Sequence, residues 1–150
     1  MKIDHLYMQE ALKEAKKAFE EDDVPVGAVI VHKGKVIARA HNQIKLLKDP
    51  TAHAEMIAIT QAASYLRNER LLNTTMYVTI EPCAMCAGAL VLARVKRLVY
   101  GTSDPKTGAF GSKVDINKIN LNHKISIAKG ILKEDCASLL KEFFKKKRAE

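Results

Sequence analysis

One stretch constrains the fold more than any other: TTMYVTIEPCAMCAGALVLARVKRLVYG, from Thr74 to Gly101. TTMYVTI is apolar and β-branched, the pattern of a buried strand. It stops at Glu81-Pro82. Pro82 suits the first turn of a new helix, where its fixed φ helps and its missing N–H would have no partner anyway. CAMCAGALVLAR supplies that helix and KRLVYG a following strand. Helix and strand patterns alternate along the rest of the chain as well, which predicts an α/β fold.

Upstream, a helix is expected from about Asp4 to Glu21, capped by Asp4, with Leu6, Ala11, Ala15, Ala18 and Phe19 as its apolar stripe. PVGAVIVHKGKVIARAHN reads as two strands joined by a tight turn at Lys33-Gly34-Lys35. QIKLLKDP reads as a loop. It leads into a helix capped by Thr51 that fades near Asn68. After KRLVYG come the glycine-containing loop TSDPKTGAFGS, a short helical or irregular piece, a candidate strand KISIA, and a last helix from about Glu134 to Arg148.

The chain has 150 residues, the size of one domain, with 47% hydrophobic and 28% charged residues, as in soluble globular proteins. Its first residues are too polar for a signal peptide, and its longest apolar run, near CAGALVLA, is too short to span a bilayer. A cytoplasmic chain without membrane contact is expected. The net charge of +8 suits a polyanionic partner such as nucleic acid, or solubility alone. The one dense charge run, KEFFKKKRAE, reads equally as an RNA-facing tail or as a solvated helix end.

The chemistry concentrates in two places. TAHAEMIAI puts His53 and Glu55 among alanines and isoleucines, where burial makes charge expensive. Of three cysteines, Cys83 and Cys86 stand three apart, which suggests metal or redox use rather than a disulfide framework. Cys136, among Leu139, Leu140 and Phe143, reads as packing. His53 and the cysteine pair fall at predicted helix starts, which gather at one edge of an α/β sheet. Exposed N–H groups there favour thiolate over thiol. One imidazole and two thiolates leave a fourth position open, the catalytic pattern for zinc. His5, His32, His41 and His123 are not spaced to close it. Zinc lowers the pKa of a bound water to ~7. Glu55 does not share a helix face with His53, but at a helix start it can point off the end and serve as general acid/base. Alone, His-x-Glu is commonplace and Cys-x-x-Cys is ambiguous between zinc and redox roles. Together they match H-x-E…P-C-x-x-C, the signature of zinc-dependent nucleobase deaminases.

With VPVGAVIV, ARAHN, DPTAHAEMIAI, MYVTIEPCAMCAGAL, DPKTGAFGS, LNHKISIAKGIL and LLKEFFKKKR in place, nearly the whole chain resembles the bacterial tRNA-specific adenosine deaminases of the cytidine deaminase-like superfamily. The resemblance implies a three-layer α/β/α fold with a five-stranded mixed sheet, one zinc-dependent deaminase domain over 1–150, and a homodimer. It implies one Zn2+ per chain on His53, Cys83 and Cys86, with Glu55 as the proton shuttle. Asn42 would hydrogen-bond the target base and Asp104 would lie beside the bound nucleotide. Phe144, Lys145 and Arg148, with Lys146 and Lys147, would lie near the RNA. The implied partner is a tRNA anticodon stem-loop, whose wobble adenosine becomes inosine. Two other readings stay open: a superfamily enzyme acting on free guanine or cytosine, and a non-catalytic zinc or RNA-binding module. A redox Cys-x-x-Cys protein would leave His53 and Glu55 without a role.

Overall fold

The computed structural model describes residues 2–150. A long helix, α1 (Lys2–Glu20), leads into a hairpin of β1 (Gly27–His32) and β2 (Lys35–His41). The turn places Lys33 and Gly34 at φ 50° and 73°, the left-handed pair that a two-residue hairpin needs. A short helix, α2 (Ile44–Leu47), then precedes α3 (Ala54–Leu66), β3 (Thr74–Ile80), α4 (Ala84–Ala93) and β4 (Arg97–Thr102). A 3-10 turn at Ile116–Lys118 leads to β5 (Ser126–Lys129) and α5 (Lys133–Arg148).

The five strands form one mixed sheet in the order β2-β1-β3-β4-β5. β1 runs antiparallel to both β2 and β3, whereas β3, β4 and β5 run parallel. Strand alternation splits the core in two. Ala28, Ile30, Met76, Val78, Leu98 and Tyr100 face α3 and α4. Val29, Val31, Tyr77 and Val99 face Met8, Ala11 and Leu12 of α1 and Cys136 of α5. The result is the three-layer α/β/α sandwich with a five-stranded mixed sheet expected from the sequence. Cys136 packs as expected: a Cβ added at Gly101 would come within 2.4 Å of its Sγ. No helix among the described residues is long and apolar enough to cross a membrane.

Several local expectations are corrected. Asp4 does not cap α1, because the helix already begins at Lys2 and Asp4 turns inward. There the Arg97 guanidinium donates to both its oxygens at 2.9 and 2.8 Å, and the Tyr77 hydroxyl donates at 2.7 Å. Leu6 is exposed, and the buried stripe runs through Met8 and Leu12 instead. QIKLLKDP is not wholly loop, since it contains α2. Thr51 does not cap α3; it bonds Asp49, and His53 holds the cap position. Pro82 stays outside α4, which has Cys83 at its cap position and starts at Ala84. The parallel strands β3 and β4 end side by side, Ile80 opposite Thr102. The edge of a sheet beyond such strand ends is where α/β proteins commonly place their sites.

Candidate active site

Two helix starts build the centre of the site. His53 and Cys83 occupy the cap positions of α3 and α4 with extended backbones, φ −73° and −74°. Neither side chain caps its own helix, so both remain free to bind something else. Asn42, at the end of β2, does the capping of α3: its Oδ1 accepts from the Ala54 N–H at 2.8 Å. Its carbonyl oxygen is thereby committed, and Asn42 also lines the pocket described below.

The His53 Nδ1 lies 3.8 Å from the Cys83 Sγ and 3.6 Å from the Cys86 Sγ. The three ligand atoms all fall within 4.8 Å of one another. A tetrahedral zinc with Zn–S of about 2.3 Å and Zn–N of about 2.0 Å spaces sulfur and nitrogen about 3.5 Å apart. The donor set and its spacing therefore fit zinc, with three protein ligands. Among the described residues this is the one group of three or more His, Cys, Asp or Glu side chains close enough to hold a metal.

The electrostatics follow from the crowding and burial of these groups. The Cys86 thiol and His53 both hydrogen-bond the Cys83 sulfur and hold it as a thiolate, well below the usual range at about 4. Cys86, which keeps the shared proton and is buried, is pushed strongly up. His53 is raised, chiefly by its bond to the Cys83 sulfur. Glu55 is 3% exposed, and burial pushes its carboxyl up to about 7. Such a group can carry a proton near neutral pH.

These residues line a pocket of about 250 Å3. Its polar lining comprises Asn42, His53, Glu55, Glu81, Cys83, Asp104 and Thr107; Val24, Val26, Ile44 and Ile80 form apolar walls. The structure thus brings six of the site residues named from the sequence together: Cys86 lies just behind this lining, and Asn42, His53, Glu55, Cys83 and Asp104 lie in it. Phe144 and Arg148 lie elsewhere, in a separate groove shared with Lys106, Leu140, Lys141 and Lys147. Lys106 belongs to the same loop as Asp104 and Thr107, so groove and pocket share that loop as a rim. Lys145 is exposed on α5 and lines neither. Lys147 is engaged by Asp22 at 2.5 Å, and Lys146 lies over the Phe19 ring.

Sequence reasoning missed Glu81, which is 1% exposed. Its carboxylate accepts from the N–H groups of Asp104, Phe110 and Ser112 at 3.1, 2.9 and 3.1 Å, and from the Ser112 hydroxyl. Burial alone would raise this carboxyl, but the Ser112 hydroxyl and the three N–H groups outweigh it and hold the carboxyl below its ordinary value. The one signal in the sequence was an acid between a buried strand and a proline.

The fold, with this pocket at its parallel strand ends, is that of a deaminase: the model of the MafB19-like deaminase family matches residues 3–148. The chain is 47% identical to the tRNA-specific adenosine deaminase of Bacillus subtilis (strain 168), over 99% of this chain and 92% of that protein. It is 45% identical to the protein of the same name from Haemophilus influenzae, over 99% and 87%. It belongs to the tRNA-specific adenosine deaminase family. A solved structure from a study of A-to-I editing by tRNA:A34 deaminases at the wobble position of transfer RNA superposes with a TM-score of 0.87 at 44% identity, covering 90% of this chain and 99% of the other. The guanine deaminase of Nitrosomonas europaea, 23% identical over 93% of this chain and 83% of the other, shares the fold at a TM-score of 0.78.

Proposed function

We propose that this chain converts the wobble adenosine of a tRNA anticodon to inosine, with one zinc ion held by His53, Cys83 and Cys86 and with Glu55 as proton carrier. The observation that carries this reading is the meeting of three ligand atoms within 4.8 Å beside a buried carboxyl in one pocket. Held by His53, Cys83 and Cys86, a zinc ion would supply a water that is nucleophilic at neutral pH. Glu55 takes one proton from the water attacking C6 and gives it to a ring nitrogen; it then takes the remaining proton from the hydroxyl now on C6 and gives it to the amine, which departs as ammonia as the C6–N bond breaks and the carbonyl forms. Asn42 donates its free amide N–H to the base. Asp104 and Thr107 flank the nucleotide from the loop side.

The pocket accepts one unstacked base, and an anticodon loop presents such a base at low cost. The neighbouring groove supplies the rest of an RNA surface. Phe144, 44% exposed, offers a stacking face, and Lys106, Lys141 and Arg148 offer phosphate partners. Lys145 adds to the field without lining the groove. The wobble position is supported by the structural likeness to the study of tRNA:A34 deaminases.

Residues 1–150 act as one zinc-dependent deaminase domain, in the cytoplasm with the tRNA substrate, and as a homodimer. The dimer reading rests on α4. Its sequence, AMCAGALVLA, is apolar on all sides, as in a helix covered all round. Its outer face is nevertheless open: Leu92 is 78% exposed, and space outside Gly88 is empty. Met56, Met85 and Leu121 extend this surface. A second copy of the chain covers it, and Leu92→Glu should yield monomers by sedimentation. The test of the function is incubation with a synthetic anticodon stem-loop bearing adenosine at the wobble position, with zinc content measured on the same sample. Inosine with about one zinc per chain is the expected result. Unchanged adenosine, or activity on free guanine or cytosine instead, would replace the reading.

A further inference from the structure

Glu81 has no part in the metal set or in proton transfer, yet it is among the largest fully buried side chains of the molecule. It stands where β3 gives way to Pro82 and the start of α4. All four hydrogen bonds to its carboxylate come from one segment, residues 104–112. That segment is fastened to the same stretch a second time: the Ala109 N–H donates to the Pro82 carbonyl at 2.9 Å, and Gly108 pairs with Cys83. The seat is tight. A Cβ added at Gly108 would come 2.3–2.5 Å from the Glu81 carboxylate atoms.

What this seat holds is the rim of the pocket. The Asp104 N–H is fixed by Glu81. The Asp104 carboxylate in turn accepts from the Lys106 and Thr107 N–H groups at 3.0 and 3.2 Å and from the Thr107 hydroxyl at 2.7 Å. The chain from Glu81 to Asp104 to Thr107 therefore sets where two pocket-lining side chains stand. It also sets the position of Lys106 on the adjoining groove. Only a carboxylate satisfies this arrangement, because every neighbour is a donor; a carboxamide would turn its own N–H groups against some of them.

We propose that Glu81 is a positioning residue for the nucleotide: it moors the 104–112 loop to the metal-binding segment, so that Asp104, Lys106 and Thr107 form a preset rim that grips the RNA around the target base. This rests on the functional reading above. It separates Glu81 from the chemistry: loosening the loop weakens the hold on the stem-loop while the reacting groups stay in place.

The test uses Glu81→Gln and Gly108→Ala, which loosen the seat from its two sides, each in the zinc-loaded full chain. Binding is read by fluorescence anisotropy of the anticodon stem-loop on a Glu55→Ala background, and turnover on the active background. Each variant should raise Kd and KM by about tenfold, with kcat within about threefold of the parent and zinc unchanged. Amide exchange at Phe110 and Ser112 should quicken. If Glu81→Gln does not fold, Gly108→Ala and the milder Ser112→Ala decide, the latter with a rise of about threefold in KM. Kd and KM within about twofold of the parent in Gly108→Ala and in every other variant that folds would overturn the proposal, even if thermal stability fell; so would a loss of kcat at constant KM. A parent chain that leaves the stem-loop adenosine intact sinks the functional reading and this inference together. A parent that forms inosine, with variants that bind as it does, sinks the inference alone.

Discussion

Asp4 and Glu55 are both buried carboxyls, 7% and 3% exposed, and they occupy opposite faces of the same sheet. The Arg97 guanidinium, helped by the Tyr77 hydroxyl, holds Asp4 down at about 2 against the pull of burial. Burial pushes Glu55 up to about 7, and no arginine or lysine stands beside it to reverse this. The difference lies in the partners. Beneath α1, every polar atom is matched by another from the same chain, and the arrangement serves the fold. At the helix starts of α3 and α4, the polar atoms face each other and a cavity, and three of them lie close enough together to hold a metal ion. A buried acid whose charge is matched within the chain, by a cation as at Asp4 or by N–H and O–H donors as at Glu81, marks structure; a buried acid left unmatched marks chemistry.

The comparison is easiest to break at Glu55. Glu55→Ala should lower kcat roughly 10²–10⁴-fold while zinc content is kept. Its thermal midpoint should hold or rise, because an unmatched buried acid is gone. Near-normal turnover in a deamination assay would erase the contrast. Asp4→Asn should do the reverse, with kcat intact and stability reduced by about 2–3 kcal/mol in urea unfolding, since the charge of Arg97 loses its partner. Arg97 keeps about a third of its side chain in water, 34%, which limits the loss.

Acid sharpens the comparison further. The carboxyl of Asp4 is lowered from 3.8 to about 2 in the folded chain, so its contribution is complete above about pH 4 and disappears as pH falls from about 4 to 2. It amounts to roughly 2 kcal/mol. Urea unfolding across that range should show a steeper loss in the parent than in Asp4→Asn. The smallest effect belongs to the basic end of α5. Removing residues 145–150 should leave kcat alone and reduce the salt slope of stem-loop binding by up to about 3. An unchanged slope would make the basic end a solvated helix terminus.

The sequence made the strands, the hairpin turn at Lys33-Gly34 and the spacing of His53, Cys83 and Cys86 readable, because each is written in a local pattern. The centre was legible because helix starts are local features and α/β sheets gather them. Asp4 was misread because an acid near a helix start looks the same whether it caps or faces inward. Its partner Arg97 is far along the chain. Glu81 was invisible for the same reason: its four donors come from a loop that only the folded chain brings to it. Leu6 was misread because it lies near the apolar stripe, and only the angle at which α1 meets the sheet turns it to the outside.

The three sulfurs lie at two depths. Cys83 is half-buried, whereas Cys86 beside it and Cys136, packed against Gly101, are both fully buried. A colorimetric thiol reagent should therefore read the molecule in stages: silence while an ion occupies the two paired sulfurs, one equivalent after chelation, and the other two only on unfolding. Loss of the metal and loss of the fold thus give separate signals in one cuvette, with no label attached.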